Sequence, residues 1–298
     1  MANFLLILIC LSTGVLLQCL KIFPKDAPLT LNLYVIWVAL PALILLQVPH
    51  LRFSPDLLIA VVMPWLMLVL GVFLVLAGAR YFRWSKAVTG ALLLTVPLGN
   101  TSFLGVPMIA IFFGQGMTPY GVIYDQLGSF LILSTYGTVI LSLYSGRERK
   151  TTMTIVKGIV TFPPFVWLCI ALLIGRHIQT DSIRHVLQTL ADSLVPVVMV
   201  AIGLQLKIRL TKAYVQPFLY GLLSKMIIPP FIALALCNLI GLTTPAAVIS
   251  IFEAGMPPMI TPGVLAMAAG LAPELVVALI GYGIILSFVT LPLLAGML

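Results

Sequence analysis

Pro97-Leu-Gly-Asn-Thr-Ser-Phe-Leu-Gly-Val-Pro107 lies inside an apolar segment, roughly Val88 to Phe113, where an unbroken helix is expected to cross a bilayer. The stretch nevertheless carries Gly99, Asn100, Thr101, Ser102 and Gly105, with a proline at each end. Proline removes a helix donor and glycine weakens a helix, so the backbone is expected to unwind here. Unwound backbone at membrane depth is tolerated only where it is buried in protein or lines a watery cavity. Two half-helices meeting at mid-membrane form the binding sites of secondary transporters. The alternative is one proline-kinked helix without a ligand.

Working outward, the whole chain has the composition of a membrane protein. Of its 298 residues, 61% are hydrophobic and 8% charged, against about 45–50% and about 25% in soluble domains. About 20 apolar residues span a bilayer core. That rule gives ten spans, approximately Asn3–Leu20, Leu29–Val48, Leu57–Gly78, Lys86–Phe113, Tyr120–Leu143, Met153–Ile174, Ile183–Leu206, Tyr214–Ile240, Thr244–Gly270 and Pro273–Met297. The start, Met1-Ala-Asn-Phe, has no basic region before its apolar run, so the first segment is expected to be a permanent span rather than a cleaved signal. The connections are too short for a separate soluble domain.

Lysine and arginine accumulate in cytoplasmic loops. Those after the odd spans hold Lys21, Lys25, Arg80, Arg83, Lys86, Arg147, Arg149, Lys150, Lys157, Lys207, Arg209 and Lys212, and those after the even spans hold Arg52, Arg176 and Arg184. A split of 12 against 3 makes the odd loops cytoplasmic and turns both termini outward, in the cell (inner) membrane. The net charge of +8 is thus a topology signal rather than a nucleic-acid footprint. Cys10, Cys19, Cys169 and Cys237 sit in apolar segments without a CxxC or Cys/His cluster, which points away from disulfides and zinc. His50, His177 and His185 fall in outer loops or at a span end and carry no metal expectation.

Pro41 and Pro196 stand 155 residues apart, as do Pro107 and Pro262. Equal offsets in different spans favour a duplication of five spans. Five is odd, so the second copy is inverted. The expected architecture is therefore all-α and polytopic. Residues 1–143 form the first repeat, 144–152 a short cytoplasmic linker, and 153–298 the inverted second repeat. The offset pairs the opening stretch with Ile251-Phe-Glu-Ala-Gly-Met-Pro-Pro-Met-Ile-Thr-Pro-Gly263, where Pro257, Pro258 and Pro262 rule out continuous helix. Broken helices four and nine would then cross, both second halves starting near the midplane. Helix N-termini carry free N–H groups and partial positive charge, which suits an anion; a cation held by the opposing carbonyl ends uses the same geometry.

A charge at mid-span costs about 2.5–3.5 kcal/mol on insertion scales. Glu253 lies nine residues past Thr244, about 13 Å along its helix, and is a candidate for cation or proton binding. Asp125, five residues past Tyr120 and about 7 Å in, fits either the outer interface or a coupling role, with Gln126 and Ser129 adding neutral oxygens. Lys225, about 16 Å along span eight, is a candidate partner for either acid or for an anion. Asp192, before the Pro196 bend, reads as structural or interfacial.

These residues resemble the auxin efflux carrier family over nearly the full length. The most specific pieces are Gly99-Asn-Thr-Ser-Phe-Leu-Gly-Val-Pro107, Tyr34-Val-Ile-Trp-Val-Ala-Leu-Pro-Ala42, and Glu253-Ala-Gly-Met-Pro-Pro-Met259 followed by Pro273-Glu-Leu. The Glu-Ala-Gly-Met run is also similar to the ninth-span motif of the bile acid:sodium symporters. That resemblance implies a cation site from Glu253, Asn100 and either Ser129 or Gln126, although Pro257 and Pro258 replace polar residues of the symporter motif. The family implies a scaffold, often dimeric, from spans one, two, six and seven, and a moving transport unit from spans three to five and eight to ten. Its long central loop is absent, so loop phosphoregulation is not expected.

The resulting expectation is a secondary carrier of a small organic anion such as a carboxylate, elevator-like or rocking. Gly99, Asn100, Thr101, Met256, Pro257, Pro258 and Met259 would bind substrate. Glu253, Asn100, Asp125, Gln126 and Ser129 would manage the driving ion, sodium or proton, with Lys225 as charge partner. No cofactor, other metal, nucleic acid or catalysis is expected. Rival readings are a sodium-coupled symporter of sterol- or bile-type anions, and a channel or membrane sensor.

Overall fold

The computed structural model describes residues 2–24, 26–50, 55, 57–145, 151–178, 180–206 and 210–298. Of the basic residues used for orientation, Lys25, Arg52, Arg147, Arg149, Lys150, Lys207 and Arg209 lie outside the described residues, as do most of the linker and the side chains of Arg176 and His177. The described chain is helical: α1 (Ala2–Leu20), α2 (Ala27–His50), α3 (Leu57–Phe82), α4 (Lys86–Thr95), α5 (Thr101–Phe112), α6 (Gln115–Tyr144) and α7 (Thr152–Val160). There follow α8 (Pro163–Ile178), α9 (Asp181–Gln205), α10 (Lys212–Leu239), α11 (Pro245–Ala254), α12 (Ile260–Ala268) and α13 (Pro273–Ala295).

Six of these, α2, α3, α6, α9, α10 and α13, are each long and apolar enough to cross a membrane, and α7 with α8 makes a seventh if the bent pair is one span. The protein is an integral membrane protein. Expected span six is not straight: its helices meet at 58°. The cause is Phe162-Pro163-Pro164, since proline disfavours helix in the residue before it and gives no N–H. Lys157, assigned to a loop by the sequence, sits within α7.

Proline also widens helices without ending them. Ahead of Pro41, Pro107 and Pro229, the N–H groups of Leu40, Val106 and Ile228 bond five residues back, to the carbonyls of Val35, Thr101 and Leu223. A residue without an N–H, whose ring crowds the preceding turn, is accommodated by one wide π turn. A further wide turn covers Asp125–Ser129.

The chain forms two compact units. The first comprises Met1–Phe53, Pro107–Pro119 and Lys157–Leu206. Inside it α1 lies against α9 so closely that a Cβ on Gly14 would collide with the Val200 carbonyl, and one on Gly203 with the Leu11 carbonyl. Lipid offers no hydrophobic drive between helices, so small residues that let backbones approach do the packing. Gln18 Nε2 donates to Leu204 O at 2.8 Å across the same contact. Elsewhere in this unit α2 packs on α8, where the Pro49 ring occupies the space left by Gly175.

The second unit comprises Ser54–Val106, Tyr120–Val156 and Lys207–Leu298. Its core joins Leu92, Leu93 and Leu94 of α4 to Leu275 and Leu279 of α13 and Leu222 of α10. Polar ties fix α3 and the turn after it to α10: Tyr220 OH donates to Leu74 O at 2.6 Å, and Trp84 Nε1 to Gln216 Oε1 at 3.0 Å.

Candidate functional site

Within the second unit the two interrupted segments meet. Ser85 caps α4, accepting from the Val88 N–H, and the helix ends at Thr95 before Val96-Pro97. Thr244 caps α11 in the same way, accepting from the Ala247 N–H, and that helix ends at Ala254. Between the breaks runs an antiparallel bridge of Gly99 with Pro258. Asn100 N–H donates to Pro257 O at 2.8 Å, and Met259 N–H to Leu98 O at 3.0 Å. The second halves, α5 and α12, each start two residues beyond this bridge, so their N-termini begin at a common point.

The bridge changes which amides an anion could use. Met256 N–H closes the end of α11 on Glu253 O, Pro257 and Pro258 have no N–H, and Met259 N–H is held by Leu98 O. The stretch Met256–Met259 thus offers carbonyls and side chains but no free amide.

The polar side chains that the sequence assigned to substrate, ion or charge partner are buried here: Asn100 at 0% exposure, Asp125 at 2%, Glu253 at 1% and Lys225 at 3%, with Thr101, Gln126 and Ser129 beside them. The sequence leaves Asp125 between an interfacial and an internal place, and the structure puts it inside. Asp125 is fully served, for Thr101 Oγ1 donates to Oδ1 and Gln126 Nε2 to Oδ2, each at 2.5 Å. The others are not. Both amide atoms of Asn100, Gln126 Oε1 and both Glu253 oxygens have no hydrogen-bond partner among the described residues. Lys225 Nζ donates to Ala254 O at 3.3 Å rather than to the Glu253 carboxylate. Gly105 makes room for that carboxylate, since a Cβ there would overlap both of its oxygens.

A cavity of about 10 Å³ is lined by Gly99, Thr101, Tyr124, Ser129, Lys225 and Glu253, which is about the room one water needs. A larger cavity of about 360 Å³ beside Gly255, between α10 and α13, is apolar except for Thr290 and does not suit a charged ligand. Asp192 is exposed and accepts from Gln188 Nε2 at 2.7 Å, a surface role. Among the described residues no group of three or more His, Cys, Asp or Glu is placed to hold a metal. Sequence reasoning missed Tyr124 and Ser102, the latter a further hydrogen-bond partner of Asp125. Their adjacency to Asp125 and Thr101 was the available signal. The wide turns that carry Thr101, Asp125 and Lys225 were missed too, although Pro107 and Pro229 mark two of them.

The sequence pattern of the family described as membrane transport protein matches residues 1–295. The chain belongs to this family, the auxin efflux carriers. A protein of Methanothermobacter thermautotrophicus described as an uncharacterized transporter is 27% identical over 296 residues, covering 96% of this chain and 94% of its own. Another uncharacterized transporter, from Methanocaldococcus jannaschii, is 26% identical over 265 residues, 85% of this chain and 84% of its own. As a member of the auxin efflux carrier family the protein is a membrane transporter.

Proposed function

We propose that this transporter is a secondary active carrier of a small organic anion such as a carboxylate, working by alternating access at the crossover. The observation that carries the reading is the bridge between Gly99 and Pro258, surrounded by buried polar atoms that lack partners. Leaving such atoms unsatisfied costs about 1–3 kcal/mol each, more for charged groups, so their retention calls for a ligand. The Asn100 amide and the exposed start of α12 at Thr261 are the anion donors in this scheme, because Met256–Met259 has no free N–H. Met256, Pro257, Pro258 and Met259 shape the pocket instead. Glu253 handles the driving ion, with Asp125, Gln126 and Ser129 around it.

The same reading takes α4 with α5 and α11 with α12 as single broken spans, which with α1 and the bent α7–α8 pair brings the count to ten. Supporting an inverted repeat, α1 packs on α9 and α8 on α2, the reciprocal contacts that exchanging the halves produces. The unit holding the crossover is the moving part, and the other is a scaffold through which the protein forms homodimers. Both termini face outward from the cell membrane.

Counterflow in proteoliposomes tests this. Purified protein, loaded with an unlabelled acid from a panel of mono- and dicarboxylates, is expected to accumulate the labelled acid transiently and saturably. Flux that never saturates would indicate a channel, and no counterflow across the panel would leave a sensor as the better reading.

A further inference from the structure

The buried charges around the crossover are unequal in their support. Both Asp125 oxygens receive hydrogen bonds, whereas neither Glu253 oxygen has one among the described residues. Lys225 is the one buried lysine or arginine among the described residues. It is held at the crossing of the broken segments: Nζ bonds Ala254 O, the carbonyl closing α11, and a Cβ on Gly99 would lie 3.1 Å from Nζ. A helix C-terminus carries partial negative charge and favours a cation. An ammonium has three donors, and only one is engaged by Ala254. Lys225 and Glu253 line the same cavity of about 10 Å³, which has no room for a hydrated ion.

We infer that Lys225 is a resident cation of the crossover, its ammonium standing where a free alkali ion would otherwise balance Glu253. Coulomb repulsion inside a dry, low-dielectric site keeps a second cation out. Sodium then has no site here, and the lysine stem tethers a positive charge that moves with the unit. The charged group that faces Lys225 is Glu253 on α11, and Asp125 and Tyr124 on α6 in turn face Glu253. This inference rests on reading the crossover as the transport site, and it gives that site a coupling chemistry independent of alkali ions.

The test is thermal unfolding of the purified protein in detergent, with sodium, potassium or methylammonium chloride replacing choline chloride at fixed ionic strength. The wild type is expected to melt at one temperature in all four salts. Lys225→Ala empties the ammonium position, and its midpoint is expected to rise saturably, by about 3 °C or more, with sodium or methylammonium. Adding Glu253→Gln to Lys225→Ala should abolish that response. If Lys225→Ala does not fold in any salt, Lys225→Gln, which keeps most of the side-chain volume, is read in its place. A saturable sodium shift in the wild type would overturn the inference, as would folded Lys225 variants indifferent to every cation. Acid counterflow is scored separately, so a carrier that works while its Lys225 variants ignore cations sinks this inference alone.

Discussion

Asn100 shows how one residue can be read from sequence and still hold a surprise. Its position in an interrupted apolar segment marks it as a site residue, but nothing local shows that both of its amide atoms lack partners. That follows from long-range closure, because the backbone bond that fixes it comes from Pro257. The same limit hid the role of Gly105, whose missing Cβ admits a carboxylate 148 positions along the chain. Stability and function should therefore separate at Asn100. Removing a buried amide that already lacks partners relieves a desolvation cost of about 1–3 kcal/mol, which offsets the lost packing. Asn100→Ala is expected to melt within about 4 °C of the wild type, or above it, while acid counterflow falls at least ~10-fold. A variant that keeps full counterflow would remove Asn100 from the site.

Prolines made the breaks legible in α4–α5 and α11–α12 because no continuous helix accommodates Pro97, Pro257 and Pro258. What they did not disclose is the wide turn. The sequence marks Pro107 as the end of a break, whereas it lies inside α5 and displaces the hydrogen-bond register one residue earlier. That register carries Thr101, whose hydroxyl donates to Asp125. Pro107→Ala restores an N–H able to reach Phe103 O and lets the turn relax to ordinary α geometry. The expected result is a melting midpoint within about 4 °C of the wild type, because a helix gains a hydrogen bond while the unfolded chain gains freedom. Counterflow should fall about 10-fold or more, as a shift near 1 Å at a binding group suffices for that. Unchanged counterflow in a folded Pro107→Ala would show that the wide turn does not position the site.

At the scale of the molecule, hydropathy gave the membrane class and six of the ten expected spans as single long helices, since such spans need length and apolarity that are counted directly. The bend of α7 against α8 lay in two prolines that hydropathy averages away. Orientation is read from the bias of lysine and arginine among loops. It makes a prediction that labelling can check. Gly116 is exposed, and a Cβ on it would meet nothing within 4 Å; in the proposed ten-span count it follows an even span. Ala213 is exposed at the start of α10, after an odd span that is flanked by Lys212. With Cys10, Cys19, Cys169 and Cys237 replaced by alanine, Gly116→Cys should react with an impermeant maleimide on intact cells. Ala213→Cys should react only after permeabilisation. In the proposed ten-span reading five spans per repeat invert the second half, which would put the end of α5 and the start of α10 on opposite faces. Labelling of both cysteines from the same side would break the inverted repeat, and reversed labelling would keep the repeat but turn the molecule over.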